Sequence, residues 1–366
     1  MGTLSLRALN RATLARQHLL ARSTMPAIAM VEHLVGMQAQ APFPPYTGLW
    51  TRLADFQPGT LADALIDRQV VRIVLMRGTV HLVSAADACF LRPLIQPLLD
   101  RDLRTNTQHA RHLTDLDLTE LTEAARKALA EQPLTAKELG AALAQHWPDR
   151  EPSALAHAAR GVLPLVQVPP RAVWGHSGLT RYHTAEHWLD RDLDKSPDPK
   201  RLALRYLAAF GPASVADLQA WSGLTRLREV TDTLDLRTLT TDDGRELLDL
   251  PDAPRPDEDT PAPVRFLPEF DNLLLSHVDR TRAMNDEHRK RLFGVKNGVF
   301  PGTFLVDGFL RGSWRITKQR KSAVLTITPW ARTTKKDQTA LTKEGLRLLD
   351  FHAPAAESKD VRIESS

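Results

Sequence analysis

The stretch 201–251 most restricts what this chain can fold into. RLALRYLAAFG has apolar residues at helical spacing, PASVADLQAWSG offers Ser214 as an N-cap and ends at Gly223, and LTRLREVTDTLD predicts a third helix. LRTLTTDDGRELLDL then predicts two short strands around Asp243 and Gly244, a pair typical of hairpin turns. Three short helices followed by a β-hairpin indicate a winged helix.

The same order of elements recurs twice along the chain. LTELTEAARKALAEQ and PLTAKELGAALAQHW, the latter with Thr135 as an N-cap, lead to SALAHAARGVLPLVQVPP and to a wing at RAVWGHSGLTRYH. Closer to the N-terminus, RATLARQHLL, MPAIAMVEHLVGMQAQ and GTLADALIDRQ precede VVRIVLMRGTVHLVSAADA, a hairpin centred near Gly78. Three such units in tandem fit a length of 366 residues, although a chain rich in Ala, Leu and Arg also produces three-helix patterns by chance.

Beyond an acidic linker at 251–263 the chain becomes strand-rich. Asp307 with Gly308, and the segment KQRKS, predict two turns between strands of alternating polarity. KKDQTALTKEGLRLLDFH predicts a closing helix, and the polar residues that follow predict a loose tail. One strand of this region has a predicted polar face formed by Arg311, Ser313, Arg315 and Thr317.

These patterns predict an α+β fold, mostly α, of three tandem winged-helix units followed by a β-rich region. The predicted regions are winged helix 1 at 1–110, winged helix 2 at 111–195, winged helix 3 at 196–252, the β-rich region at 260–353 and the tail at 354–366.

The distribution of charge favours a polyanionic partner. The net charge is +4 and the pI about 9.3, with Lys318, Arg320 and Lys321 at one hairpin tip and Arg311 and Arg315 on its strands. A projecting basic hairpin can track phosphates, and a solvated sheet edge protected from aggregation is the equally weighted alternative.

Membrane insertion and redox chemistry have no signal in the sequence. No apolar run reaches the roughly 18 residues needed to cross a bilayer, which predicts a cytoplasmic protein. The single Cys89 excludes an internal disulfide and a thiolate zinc cluster.

Two further patterns suggest either chemistry or structural ion pairs. YHTAEHW matches H-x-x-E-H through His183, Glu186 and His187, which would suit a zinc hydrolase, but no acidic third ligand follows on an obvious helix. In RGTVHLVSAAD and PEFDNLLLSHVDR, we predict structural ion pairs, of Arg77 with a carboxylate and of Asp279 with Arg280.

The segment GMQAQAPFPP carries two neutral amides one residue apart. A helix that ends near Gly36 and prolines that forbid its continuation predict an extended conformation for Gln38 and Gln40. In that conformation both side chains point the same way, with Cα atoms roughly 6.6 Å apart, and converge on one small target.

Over nearly its whole length the chain resembles the AlkZ/YcaQ-type winged-helix DNA glycosylases, bacterial enzymes that excise alkylated purines. The resemblance is carried by LSLRALNRATLARQHLL, VEHLVGMQAQAPFPPYTGLW, VVRIVLMRGTVHLVSAADA, VRFLPEFDNLLLSHVDR and GVFPGTFLVDGFLRGSWR. The Gln-aliphatic-Gln catalytic element of the family falls on Gln38, Ala39 and Gln40. Because the YcaQ branch has Asp at the last of these positions, Gln40 indicates the AlkZ-like branch, several of whose members protect antibiotic producers from their own DNA-alkylating products.

The resemblance implies a specific architecture and activity. The expected fold surrounds a concave DNA-binding channel, with a β-hairpin among the DNA contacts, so we expect contacts from Arg77 and from the basic hairpin described above. The expected activity is that of a monofunctional alkylpurine DNA glycosylase acting as a monomer on double-stranded DNA, without cofactor or metal. A non-catalytic winged-helix DNA-binding regulator is the alternative.

The chemistry of alkylated purines makes two neutral amides sufficient. Alkylation at N7 of guanine or N3 of adenine makes the base a cation, which leaves without protonation by a general acid. A glutamine donates and accepts hydrogen bonds at once, so Gln38 and Gln40 are expected to position a water at the deoxyribose C1′.

Overall fold

Helices account for 43% and strands for 19% of the chain in the computed structural model, which describes residues 3–294 and 300–364. The end of the basic stretch RKRLFGVK, at 295–296, and the last two residues of the predicted tail lie outside the described residues. Within the described ranges, no helix is both long enough and apolar enough to span a membrane.

The N-terminal segment contains the predicted hairpin and a turn that ends the second helix early. Its elements are α1 Leu6–Arg16, α2 Ala27–His33, β1 Met37–Gln38, α3 Pro44–Arg52, α4 Pro58–Ile66, β2 Val70–Val74, β3 Val80–Ser84 and α5 Ala85–Thr105. α2 stops because Val35 and Gly36 adopt left-handed φ values of 51° and 88°, which turn the chain into the extended β1.

The second segment follows the predicted order of helices and strands. It contains α6 Leu118–Leu129, β4 Leu134–Thr135, α7 Ala136–Ala144, α8 Pro152–Val162, β5 Leu165–Val168, β6 Arg181–Thr184 and α9 Ala185–Leu189. Thr135 caps α7 as predicted, since its hydroxyl accepts from the Glu138 amide while the Glu138 carboxylate accepts from the Thr135 amide.

The first two hairpins join in one six-stranded sheet with the strand order β1-β3-β2-β5-β6-β4. β2 pairs antiparallel with β5 through Arg72 opposite Gln167 and Ile73 opposite Val166. Strands that sequence reasoning placed in separate units therefore share one hydrogen-bonded ladder.

The third segment has the predicted helices and hairpin, with a shorter third helix. Its elements are α10 Pro199–Phe210, α11 Val215–Ser222, α12 Arg228–Thr231, β7 Arg237–Thr240 and β8 Glu246–Asp249. Ser214 caps α11 with Asp217 in a capping box, and Gly223 ends that helix at φ 81°. The left-handed Arg226, at φ 61°, delays the start of α12, so LTRLREVTDTLD is helical over only four residues. That these segments are winged helices stays a prediction.

A five-stranded sheet dominates the C-terminal segment, with the order β13-β12-β11-β10-β9. The elements are β9 Arg265–Leu267, α13 Asn272–Leu275, α14 Asp286–Phe293, β10 Gly302–Val306, β11 Phe309–Lys318, β12 Ser322–Pro329, α15 Lys335–His352 and β13 Ser358–Ile363. Both predicted turns lie between strands, and α15 has the predicted bounds.

The prediction of a loose tail at 354–366 is wrong for residues 358–363, which form β13. β13 runs parallel to β12, from Ser358 beside Ser322 to Ile363 beside Ile327. Val361 and Ile363 pack on the hydrophobic core, so this terminal strand buries apolar surface that a loose tail would expose.

The hydrophobic cores cross the region boundaries predicted from sequence. One core combines side chains of α2 and α3 with others of β9, β12 and α15. A second combines β2, β3 and α5 with α10 and α11. The segments therefore depend on one another for burial.

A buried ion pair connects α3 to the segment after β9. Arg52, whose side chain is fully buried, donates from both terminal nitrogens to Asp271 at 2.8 Å. Arg52 also donates to the carboxamide oxygen of Gln17 at 3.1 Å, and Gln17 donates to Ala209 O at 2.6 Å. This network joins α1, α3, α10 and the start of α13.

The predicted pair of Asp279 with Arg280 is wrong. Asp279 accepts a hydrogen bond from Arg245 instead, while the Arg280 guanidinium stacks over the Phe293 ring at 4.3 Å. The reason is geometric, since Arg245 on the loop before β8 reaches Asp279 while Arg280 is directed to the aromatic face.

We predict that Asp271→Ala lowers the free energy of unfolding by about 3 to 5 kcal/mol, because it leaves Arg52 buried without its counter-charge. Urea denaturation followed by circular dichroism measures the change. Asp360→Ala is the matched control, since Asp360 pairs with Arg362 at the exposed surface and is worth less than about 1 kcal/mol. Equal shifts in the two variants would contradict the prediction.

Candidate active site

The Gln-Ala-Gln segment lies at the edge of the six-stranded sheet. Met37 pairs with Leu82 and Gln38 with His81, so the predicted extended conformation is confirmed for Gln38. Gln40 lies in a bend after β1, so for this residue the extended conformation is not observed. Gly36 allows the close approach to β3, because a Cβ there would lie 2.6 Å from Val83 Cγ1.

Two side chains hold the backbone of this segment from other parts of the chain. Asn272 donates from its amide nitrogen to Gly36 O at 2.8 Å. Arg72 donates from Nη2 to Ala39 O at 2.7 Å, while the Ala39 amide donates to Val80 O at 2.7 Å. Sequence reasoning missed both. A signal for Arg72 existed, since a lone cation in the apolar run VVRIVLM must find a buried acceptor.

Gln38 is buried, with 7% of its surface exposed, and its orientation is determined by a neighbouring cation. Its carboxamide oxygen accepts from Arg77 Nη2 at 2.9 Å. Because a guanidinium only donates, the oxygen must face Arg77 and the amide nitrogen must face away. Among the described residues, the Gln38 nitrogen has no acceptor.

Gln40 is exposed and attaches to the same hairpin. Its carboxamide oxygen accepts from the backbone amide of Val80 at 3.3 Å, a long hydrogen bond. Both glutamines therefore direct their oxygens at the β2–β3 turn, between Arg77 and Val80. This leaves amide donors and one remaining oxygen lone pair on each for a water or a substrate.

The predicted ion pair of Arg77 with a carboxylate is wrong, since no acidic side chain in the described ranges pairs with it. Arg77 donates to Trp221 O at 2.9 Å and to Gln38, and burial together with the charge of Arg280 lowers its pKa to about 10. The guanidinium is directed inward, which favours a supporting position under Gln38 over the predicted DNA contact.

His81 is a neutral neighbour of this pair. Burial, with the charge of Arg77 adding to it, lowers the His81 pKa to about 3. Its Nδ1 lies 3.0 Å from Thr79 O and its Nε2 lies 3.5 Å from Arg77 Nη2. These distances assign the proton to Nδ1, because Nε2 then accepts from the guanidinium.

The cations of the predicted basic hairpin lie on β11 and on the turn between β11 and β12. Lys318 donates to His352 O at 2.6 Å, and Lys321 pairs with Glu357 at 3.0 Å. Arg315, with 74% of its side chain exposed, lies 3.8 Å from a Glu364 carboxylate oxygen. Arg311 and Arg320 are exposed. Their contacts with DNA stay predictions.

A cluster of aromatic rings connects the glutamine segment to this hairpin. The exposed Phe43 meets Trp174 edge to face, with ring centroids 6.0 Å apart, and Trp174 lies 5.8 Å from the His352 ring. His352 is the residue whose carbonyl accepts from Lys318. Trp174 and His352 therefore lie between Phe43, three residues after Gln40, and Lys318 near the tip of the basic hairpin.

The described part of the chain contains no set of ligands for the zinc site that a zinc hydrolase would need. His183 lies on β6 and His187 on α9, with their rings stacked at 4.4 Å, so they do not share a helix. Glu186 pairs with Arg126 at 2.9 Å. No three His, Cys, Asp or Glu side chains in residues 3–294 and 300–364 are grouped to hold a metal.

Comparisons with known proteins identify the family and a similar fold. The family model "DNA glycosylase AlkZ-like" matches residues 31–351, while no curated protein sequence matches the chain. The structure is similar to that of Streptomyces sahachiroi DNA glycosylase AlkZ, with a TM-score of 0.79 and 22% identity over 99% of this chain and 100% of that one. The match over most of its length shows that this chain belongs to the AlkZ-like family of DNA glycosylases.

Proposed function

We propose that the protein hydrolyses the N-glycosidic bond of N7-alkylguanine in double-stranded DNA, with N3-alkyladenine or crosslinked purines as further substrates. Gln38 and Gln40 position the hydrolytic water at C1′ and contact the deoxyribose. The alkylated base carries a positive charge before the reaction, so it leaves as a neutral purine without a proton from the protein.

The observation that carries this proposal is the neutral, anchored pair of carboxamides. Gln38 is held by Arg77 and Gln40 by the Val80 amide, so their donors are preorganised for a water or a sugar oxygen. No carboxylate in the described ranges forms a hydrogen bond with Gln38 or Gln40, or a salt bridge with Arg77. Such a site offers positioning without a general acid, which suits a leaving group that is already cationic.

The open position of the motif supports attack on a lesion that stays in the groove. Gln40 is exposed, and neither glutamine lines the cavities of about 430 Å³ beside Trp188 or about 460 Å³ beside His157. A bulky or crosslinked purine is hard to flip into an enclosed pocket, whereas an open edge admits it. From the access of bulky and crosslinked purines to this open edge, we infer that the biological role is protection against a DNA-alkylating natural product.

We predict that Gln38→Ala lowers the single-turnover rate of N7-methylguanine excision by about 100-fold, as expected for loss of a preorganised donor. Gln40→Ala lowers it less, by about 10-fold, because its oxygen is held by a longer hydrogen bond. Free base and abasic sites are quantified together. Gln338→Ala, on the exposed surface of α15, is the control. A double Gln38→Ala, Gln40→Ala variant that excises at the wild-type rate would refute the proposal.

We predict a flat pH profile for excision between about pH 5.5 and 7.0. The His81 pKa of about 3 lies below this window and the Arg77 pKa of about 10 lies above it, so neither charge changes. Single-turnover rates measured across the window, with circular dichroism confirming the fold at each pH, test this. A rate that follows a group near the usual histidine value of 6.5 would show that a titrating residue takes part.

We predict that the double substitution Arg320→Ala, Lys321→Ala weakens binding to undamaged and alkylated duplexes equally, because phosphate contacts carry no sequence or lesion information. The slope of log Kd against log salt concentration should fall by about 0.9 for each phosphate that the protein no longer neutralises. Lys343→Ala, also an exposed cation but on α15, is the control. If the slope is unchanged, the hairpin does not contact phosphates and its cations only solvate a sheet edge.

A further inference from the structure

Arg77 is a partly buried cation that has no acidic partner among the described residues. It lies in the β2–β3 turn at φ 58°, and its Nη1 donates to Trp221 O at 2.9 Å. Trp221 is in the last turn of α11, whose end is marked by the left-handed Gly223. The partial negative charge of a helix C-terminus stabilises a cation there, which explains how Arg77 is partly buried without a carboxylate.

The second terminal nitrogen of Arg77 points at the candidate active site. Nη2 donates to the Gln38 carboxamide oxygen at 2.9 Å and faces the neutral His81 Nε2 at 3.5 Å. The Gln38 oxygen and His81 Nε2 are both hydrogen-bond acceptors, so Arg77 Nη2 donates towards both of them. A flipped Gln38 carboxamide would place its amide donors against the guanidinium donors, so only one orientation of Gln38 is compatible with Arg77.

We propose that Arg77 is a positioning residue that holds the Gln38 carboxamide with its nitrogen towards the substrate and connects it to the end of α11. This role rests on the proposed glycosylase function and deepens it. Arg77 does not touch the reacting atoms. Arg77 affects the reaction by orienting the Gln38 side chain. The end of α11 affects the same orientation by holding Arg77.

A direct contact with DNA is the alternative role for Arg77. The two roles predict changes in different measured quantities. A phosphate contact contributes to affinity and to its salt dependence. A positioning contact contributes to the rate of the bound complex, and its effect disappears when the positioned group is removed. A double-substitution cycle with Gln38, measured at saturating enzyme, separates them.

The test uses full-length Arg77→Ala, Arg77→Lys, Gln38→Ala and the double Arg77→Ala, Gln38→Ala variant on duplex DNA with N7-methylguanine. Alanine and lysine keep a Cβ at the left-handed position, so the backbone strain is unchanged. We expect Arg77→Ala to lower the single-turnover rate by about 10- to 100-fold, with Kd and its salt slope unchanged. Arg77→Lys should retain part of the rate, since one ammonium reaches one of the two acceptors.

The double variant should excise at the rate of Gln38→Ala alone. Millimolar guanidinium should restore activity to Arg77→Ala but not to the double variant, a pattern that loss of folding would not produce. If the Arg77→Ala and Gln38→Ala effects multiply, or if Arg77→Ala changes Kd and the salt slope at an unchanged saturated rate, the positioning role is overturned.

The same measurements distinguish this inference from the function on which it rests. Failure of the wild-type protein to release N7-methylguanine would overturn the proposed function itself. Wild-type excision by Gln38→Ala would overturn the role of Gln38 and, with it, the role of Arg77. Slow excision by Gln38→Ala together with wild-type excision by both Arg77 variants would overturn only the role of Arg77.

Discussion

The buried pair of Arg52 with Asp271 is the interaction on which the candidate site depends most. Neither charge has access to water, so each requires the other, and this fixes α3 against the segment after β9. Asn272, the next residue, then donates to Gly36 O, at the point where the chain turns into the glutamine segment. An ion pair remote in sequence thus helps to fix where β1, the strand that carries Gln38, begins.

The glutamine segment is supported by residues from several parts of the chain. Arg72 holds Ala39 O, Arg77 holds Gln38, and Asn272 holds Gly36 O. Because Arg77 also contacts Trp221, the first and third helical segments meet at the candidate site. The shared six-stranded sheet and the shared cores join the segments in the same way. The segments form one framework around the two amides.

Features set by neighbouring residues were predictable from the sequence. The caps at Thr135 and Ser214 and the bounds of α15 follow local signals, and each was confirmed. The extended conformation of Gln38 followed from the prolines after it. The failures involve long-range contacts, because β13 is stabilised by pairing with β12 and Asp279 by Arg245. The alternation of polar and apolar residues along a strand does not show which other strand it pairs with.

The sequence by itself determined the order of the elements, the extended conformation of Gln38 and, through the resemblance, the family. Only the tertiary structure decided that Gln38 is buried while Gln40 is exposed, and that Arg77 lies under Gln38. The physical reason is that capping, turn formation and helical spacing act over a few residues. Burial of a charge and the orientation of an amide depend on which distant acceptor the fold brings within about 3 Å.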